Sequence, residues 1–350
     1  MKETKKQFSQ QNRIVELDII RGFALIGIFL VNIFNFIQLS GVSTNSLPNN
    51  DWVDIFFTGK FYAIFSLLFG AGAAIFLSRA KEKGKPYLFY IRRMVVLGII
   101  GYLHSLIWGG DVLLPYALVG LVLLALHKIS SKVLFIITVS LHILGILINI
   151  YAYDWLYGGK PDIPPVLDAL LIVTALTSFL VYFIEGFTLM NIDVLTKLKS
   201  RPTLHKWSII ILGVISIFDV ISQMVLTDHQ LTQSLLIISQ PLLMITYILL
   251  LLALVNGKIG RNILYPLQAY GKMAMSNYLG QTAIGIFILP ILVHYLHHYL
   301  QPFLILFGVC LITWVMQILI SNFWLKYFYY GPVEWIWRCF TYWRLMPLRK

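Results

Sequence analysis

The chain has 350 residues, 59% of them hydrophobic and only 12% charged, with a mean hydropathy of +0.80. A water-soluble chain carries about twice that share of charge, so a soluble multi-domain protein is excluded. The net charge of +12 does not mark a nucleic-acid partner, because the basic residues sit in short loops between apolar runs and form no soluble basic surface.

Apolar runs long enough to cross a bilayer recur from end to end. They predict helices over 17–39, 60–79, 92–108, 112–128, 133–152, 166–190, 207–226, 233–255, 272–296 and 302–325. In lipid only helices or a closed barrel satisfy the backbone, and the runs lack the period-2 alternation of barrel strands. The sequence therefore reads as all-α: a polytopic transmembrane bundle of about ten helices in a single membrane domain, 1–350. The stretch 326–350 reads as a cytoplasmic interfacial tail, because Trp335, Trp337, Arg338, Tyr342, Trp343 and Arg344 suit the headgroup layer.

Of the 27 Lys and Arg residues, all but Lys60, Lys160 and Arg21 fall in or beside the loops on one side of this arrangement. The positive-inside rule puts that side, with both termini, in the cytoplasm. Lys2, Lys5, Lys6 and Arg13 precede the first run without a clean small-residue cleavage site, so a retained first helix is expected. The segment 40–59 reads as an outer polar loop, and 153–165 as a turn-rich one with Gly158, Gly159 and Pro161. Cys310 and Cys339 suggest neither a disulfide framework nor a metal site. His297 and His298 are adjacent and point in different directions on a helix, so no metal is expected there.

Ionisable groups inside a membrane are expensive and hence candidates for function. Asp18 and Arg21 are three residues apart on the first helix, and Arg21 shares a face with Asn32 about 16 Å along the axis. They line a path, or they form a structural salt bridge and an interhelical hydrogen bond. His104 lies near the outer end of the third helix, and Asp111 follows in a Gly109-Gly110-Asp111 turn. A carboxylate beside an imidazole makes a general base, though Asp111 also suits a helix cap. Arg92 and Arg93, near Arg79, Lys81, Lys83 and Lys85, suit either an anionic cofactor or anionic lipid. Asn277 and Gln281 share a face beside Ser276, to bind substrate or to bond neighbouring helices. His142, Glu185, Asp219 and Gln317 are intramembrane with no partner visible in sequence.

Five stretches carry a resemblance. They are Arg13-Ile-Val-Glu-Leu-Asp-Ile-Ile-Arg-Gly-Phe-Ala-Leu-Ile-Gly-Ile, Gly59-Lys-Phe-Tyr-Ala-Ile-Phe-Ser-Leu-Leu-Phe-Gly, the run from His104 to Leu113, Gly271-Lys-Met-Ala-Met-Ser-Asn-Tyr-Leu-Gly-Gln, and Tyr330-Gly-Pro-Val-Glu-Trp-Ile-Trp-Arg. In this order they resemble the YeiB-like bacterial membrane proteins, known as domain of unknown function 418. That family is distantly similar to transmembrane acyltransferases of the heparan-glucosaminide acetyltransferase type, sharing Leu17-Asp18, Arg21-Gly22 and a polar residue, here Asn32, eleven beyond Arg21.

The resemblance implies transfer from cytoplasmic acyl-CoA, such as acetyl-CoA, to an envelope glycan or lipid across the bacterial plasma membrane, without a metal. In that scheme Arg21, Arg92 and Arg93 neutralise the CoA phosphates. Asn32, Asn277 and Gln281 position carbonyl or acceptor. The glucosaminide group uses a His between its first two helices; residues 40–60 here contain none, so His104, oriented by Asp111, takes that place. A transporter with His142, Glu185, Asp219 and Arg21 as pathway charges is the competing expectation, and a non-catalytic membrane protein the third.

Overall fold

A computed structural model of the chain describes residues 14–39, 51–81, 84, 86–156, 160, 162–226, 229–296 and 299–350. The expectations for 1–13, for 40–50, for Lys83 and Lys85, for Gly158, Gly159 and Pro161, and for His297 and His298 lie outside the described residues. Among the described residues the elements are helices. In chain order they are α1 Val15–Leu39, α2 Asp51–Phe56, α3 Lys60–Lys81, α4 Pro86–Ser105, α5 Leu113–Leu126, α6 Ser131–Leu156, α7 Pro165–Asn191, α8 Val194–Ser200, α9 Pro202–Val225 and α10 His229–Asn256. There follow α11 Lys258–Leu264, α12 Pro266–Lys272, α13 Ala274–Ala283, a π turn at Ile284–Ile288, α14 Leu289–Leu296, α15 Pro302–Tyr327 and α16 Pro332–Tyr342.

Among the described residues nine helices are long and apolar enough to cross a membrane. The tenth expected span, 112–128, is the 14-residue helix α5. At 1.5 Å per residue it reaches about 21 Å, short of a hydrocarbon core of about 30 Å. The long helices keep apolar side chains on their outsides: Phe135, Ile136 and Leu147 on α6, and Val214, Phe218 and Ile221 on α9, are exposed. Large apolar surfaces of this kind suit lipid and not water.

The sequence reads as one membrane domain; the described structure groups into two compact units, Met1–Val53 with Leu251–Lys350, and Asp54–Leu250. In the first unit α1 packs chiefly on α12, and α12 on α15. The crossing needs two glycines: a Cβ on Gly271 would lie 1.9 Å from the Asp18 carbonyl oxygen, and one on Gly22 would lie 2.5 Å from that of Leu267. In the second unit α3 packs most extensively on α7, with α4 against α5 and α6 against α7. A Cβ on Gly186 would meet the Leu67 carbonyl oxygen at 1.8 Å. Small residues at such points let helix backbones approach where lipid supplies no hydrophobic drive.

The expected helix 272–296 is not continuous. It breaks at Met273, and its middle widens into the π turn, where the Leu289 N–H bonds the Ile284 carbonyl. Pro290 explains the widening: it has no N–H for Ile286 and its ring crowds that carbonyl. Gly285 lies in the widened turn against the Phe36 ring, which a Cβ would meet at 2.2 Å.

Candidate functional site

The second unit holds His104 and Asp111. His104 stands one residue before the end of α4, and the turn that follows brings Asp111 back over it. Gly110 makes this turn possible, since a Cβ there would strike the Trp108 ring at 2.4 Å. Trp108 in turn sets its ring edge-on to His104, centroids 6.0 Å apart. The His104 Nδ1–H donates to Asp111 Oδ1 at 2.6 Å, with the residues only 6% and 9% exposed. The other carboxylate oxygen, Oδ2, accepts the Leu114 N–H at 2.9 Å. Asp111 therefore accepts from the first turn of α5 and from the His104 ring at once, so capping and the contact with the imidazole do not exclude each other. A carboxylate can only accept here, so Nδ1 carries the proton and Nε2 is the basic nitrogen of the ring.

Arg92 and Arg93 sit on the same helix, eleven to twelve residues before His104, about 16 to 18 Å along the axis. The Arg93 guanidinium lies over the Phe76 ring of α3, 5.1 Å from its centroid. Three further groups of this unit depart from the sequence reading. His142 Nε2 is 3.1 Å from Glu185 Oε1, which joins α6 to α7. Gln223 Nε2 donates to Asp219 Oδ2 at 2.7 Å on α9. Lys60, counted in sequence as an outer-side cation, is buried at the start of α3. No local signal announces the His142–Glu185 pair, because it depends on which helices become neighbours; Asp219 and Gln223, four residues apart on one helix, were within reach of local reasoning.

The first unit holds the remaining candidates. Arg21 Nη1 donates to Asp18 Oδ1 at 2.9 Å along α1, and Asn32 is buried farther along that helix. Asn277 and Gln281 on α13 meet Tyr270 of α12 and Gln317 and Ser321 of α15. Asn277 Nδ2 donates to the Tyr270 carbonyl and to Ser321 Oγ, each at 3.0 Å. Gln281 Nε2 donates to Tyr270 Oη at 2.7 Å, and Gln317 Nε2 donates to the Asn277 carbonyl at 3.0 Å. These bonds match the interhelical alternative: the amide donors are directed at helix neighbours.

Beside this network stands a residue that the sequence assigned to the interfacial tail. Glu334, in the first turn of α16, accepts the Met275 and Ser276 N–H groups at 2.8 and 3.0 Å and the Ser276 hydroxyl at 2.5 Å. Ser276 Oγ accepts the Val333 N–H at 3.1 Å. The orphan donors at the start of α13 are thus capped by an acid from another helix, where the dipole favours a negative charge. Burial pushes the Glu334 carboxyl above its ordinary range, against the pull of the Ser276 and Met275 donors. Glu334 lies in one of the five stretches quoted above, and that was the only sequence signal for it.

The helices and their apolar exteriors define a polytopic α-helical membrane protein. A model of the family described as "Protein of unknown function (DUF418)" matches residues 189–344, the part that contains the Asn277 network and Glu334. The chain is 31% identical over 360 residues to the "Uncharacterized 39.9 kDa protein in amylase 3'region" of Bacillus acidopullulyticus, covering 96% of each chain. It is 30% identical over 394 residues to YxaH of Bacillus subtilis, covering 97% of this chain and 96% of that one. With YeiB of Escherichia coli it shares 28% over 382 residues, 94% and 96% of the two chains. The chain belongs to this DUF418 family. No solved structure matches it.

Proposed function

We propose that this protein is a multi-pass acyltransferase of the bacterial plasma membrane, moving an acyl group from acyl-CoA to a hydroxyl of an envelope glycan or lipid. The observation that carries the reading is the 2.6 Å contact between His104 Nδ1 and Asp111 Oδ1, with Asp111 fixed again by the Leu114 N–H. An imidazole held in one tautomer by a buried carboxylate is how a general base is prepared. The acceptor O–H gives its proton to His104 Nε2 while its oxygen attacks the thioester carbonyl. The C–S bond breaks, and the departing CoA sulfur recovers that proton from the imidazolium. Asp111 stabilises the imidazolium formed between the two steps. Arg92 and Arg93 lie in the first half of the same helix, towards the side the charge pattern assigns to the cytoplasm, and suit the CoA phosphates. Arg21, Asn32, Asn277 and Gln281 belong to the other unit, and the proposal gives them no step.

The test is transfer of radiolabelled acetyl from acetyl-CoA to extracted envelope glycans and lipids by the purified protein. Transfer lost on replacing His104 is expected. Protein that neither transfers acetyl nor binds acetyl-CoA overturns the reading. The His142–Glu185 pair, an ionisable couple joining two membrane helices, favours a second reading as a proton-coupled transporter. Substrate counterflow in proteoliposomes would select that reading over the first.

A further inference from the structure

The proposed transfer gives no step to α16 or to the residues after it, yet the fold binds them closely to two membrane-crossing helices. One is the span Ala274–Leu296, which begins with α13, and the other is α15. Glu334 ties α16 to the start of α13. Residues 327–329 pair with 348–350: the Tyr329 N–H donates to the Leu348 carbonyl and the Lys350 N–H to that of Tyr327, both at 2.9 Å. The Lys350 ammonium donates to the Leu325 carbonyl in the last turn of α15. Within this clasp Trp335 Nε1 donates to the Met346 carbonyl at 2.8 Å. α16 is thus held at the level where both helices leave the membrane.

The side of α16 that carries Glu334 and Thr341 is turned inward, and Thr341 is buried. Ile336 and Phe340, one turn apart on the far side, are exposed. The helix ends at Trp343, whose φ is +48°, and the Arg344 N–H closes on the Cys339 carbonyl at 3.1 Å. This sets Trp343, 70% exposed, against the last turn and in line with Phe340 and Ile336. A left-handed backbone is rare for a bulky side chain, and such strain persists where the surroundings or a function require it. From Lys326 onward the cations are Lys326, Arg338, Arg344, Arg349 and Lys350, and the one acid is Glu334, which is bonded to α13. Arg344 and Arg349 are exposed.

We propose that this stripe and the arginines that follow it form a docking surface for acidic phospholipid of the cytoplasmic leaflet. Ile336, Phe340 and Trp343 enter the boundary between headgroups and acyl chains, and Arg344 and Arg349 take the lipid phosphates. Composition suits the whole stretch to the headgroup layer; the bonding pattern singles out one face of it and leaves that face cationic. The surface stands at headgroup depth, because its helix is bonded to the ends of two crossing helices. It joins apolar and aromatic side chains to cations, as helices that lie in a membrane interface do. Its acid is withdrawn to cap α13, so an anionic headgroup meets cations. A soluble protein partner would need the stripe to face water, where a run of large apolar side chains is unfavourable. A zwitterionic lipid would cover the stripe but bring the arginines no net charge. The inference goes beyond the transferase reading and does not rest on it.

The experiment is fluorescence quenching of the full chain in vesicles of phosphatidylcholine, phosphatidylglycerol or mixtures of the two, with bromine on the acyl chains of one lipid at a time. The chain has nine tryptophans, so Trp343 is read as the difference between wild type and Trp343→Phe. Phe340→Trp adds a second reporter on the same stripe and serves if Trp343→Phe folds poorly. Both reporters are expected to be quenched by brominated lipid, and in mixtures more by phosphatidylglycerol than by phosphatidylcholine. That preference is expected to fall about fivefold for each of Arg344→Gln and Arg349→Gln. Reporters quenched by aqueous iodide and not by lipid overturn the surface and leave the stripe to another protein. Reporters reached by neither quencher overturn it in favour of a second copy of the chain. Quenching with no preference for phosphatidylglycerol, or with a preference unchanged in both variants, overturns the acidic lipid as the occupant.

Discussion

Glu334 and Ser276 hold each other from both directions: the serine hydroxyl donates to the carboxylate at 2.5 Å and accepts the N–H of Val333, the neighbour of Glu334, at 3.1 Å. Together with two backbone donors this fastens α16 to the start of α13. Burial raises the Glu334 carboxyl, so the folded chain keeps that proton to a higher pH than the unfolded chain does. Its contribution to stability is full below the ordinary 4.5 and is lost as pH rises through the raised folded value. The thermal midpoint of the purified protein should fall over that interval, and Glu334→Gln should flatten the fall. Glu334→Ala strands three donors and should cost about 2 kcal/mol, read by thermal denaturation.

The α3–α7 crossing makes a sharp contrast between two glycines of one helix system. Gly186→Ala places a methyl 1.8 Å from the Leu67 carbonyl oxygen, while Gly72→Ala meets nothing within 4 Å. The first should cost at least about 3 kcal/mol by forcing backbones apart. The second should be neutral or gain about 1 kcal/mol from better helix propensity. Yield of monodisperse protein on size exclusion reads both; equal behaviour of the two variants would contradict the packing.

The His104–Asp111 contact makes a prediction about chemistry and not fold. Asp111→Asn keeps a partner for the ring but loses the charge that stabilises the imidazolium. Acetyl transfer should fall by about 10²- to 10⁴-fold, with the KM for acetyl-CoA little changed. A variant at wild-type rate would remove His104 as the base.

Gln317 ties three helices together, donating to the Asn277 carbonyl and accepting from Tyr270 Oη at 3.2 Å. Gln317→Leu leaves both of those groups buried with a partner missing. Each should cost about 1 to 3 kcal/mol, a clear drop in thermal midpoint. If the variant melts with wild type, the network is not holding the helices.

How much of this was legible in the sequence depends on the distance between partners. Apolar runs place membrane helices because burial in lipid demands length, and the residues from Val15 and from Pro302 onward follow them closely. The start of α4 was read six residues late, since Arg92 and Arg93 look like a boundary but lie inside the helix, which begins at Pro86. The interruption around Ile284–Ile288 was hidden in a continuous apolar run, although Pro290 was in view. His104 and Asp111 are seven residues apart across a Gly-Gly turn, so their contact was within reach of local reasoning. His142 and Glu185 are 43 residues apart, and Ser276 and Glu334 are 58 apart. Such pairs follow from which helices pack together, and a single sequence does not state that.

The distance between Ser276 and Glu334 also orders events during synthesis. The start of α13 cannot be closed until 58 further residues have been made, roughly 3 to 12 s at the ribosome's usual pace. Through that interval the helix end that will receive Glu334 must rely on water or on a passing chaperone. A chain terminated before residue 334 would never leave that condition, even with all its membrane-crossing helices already made.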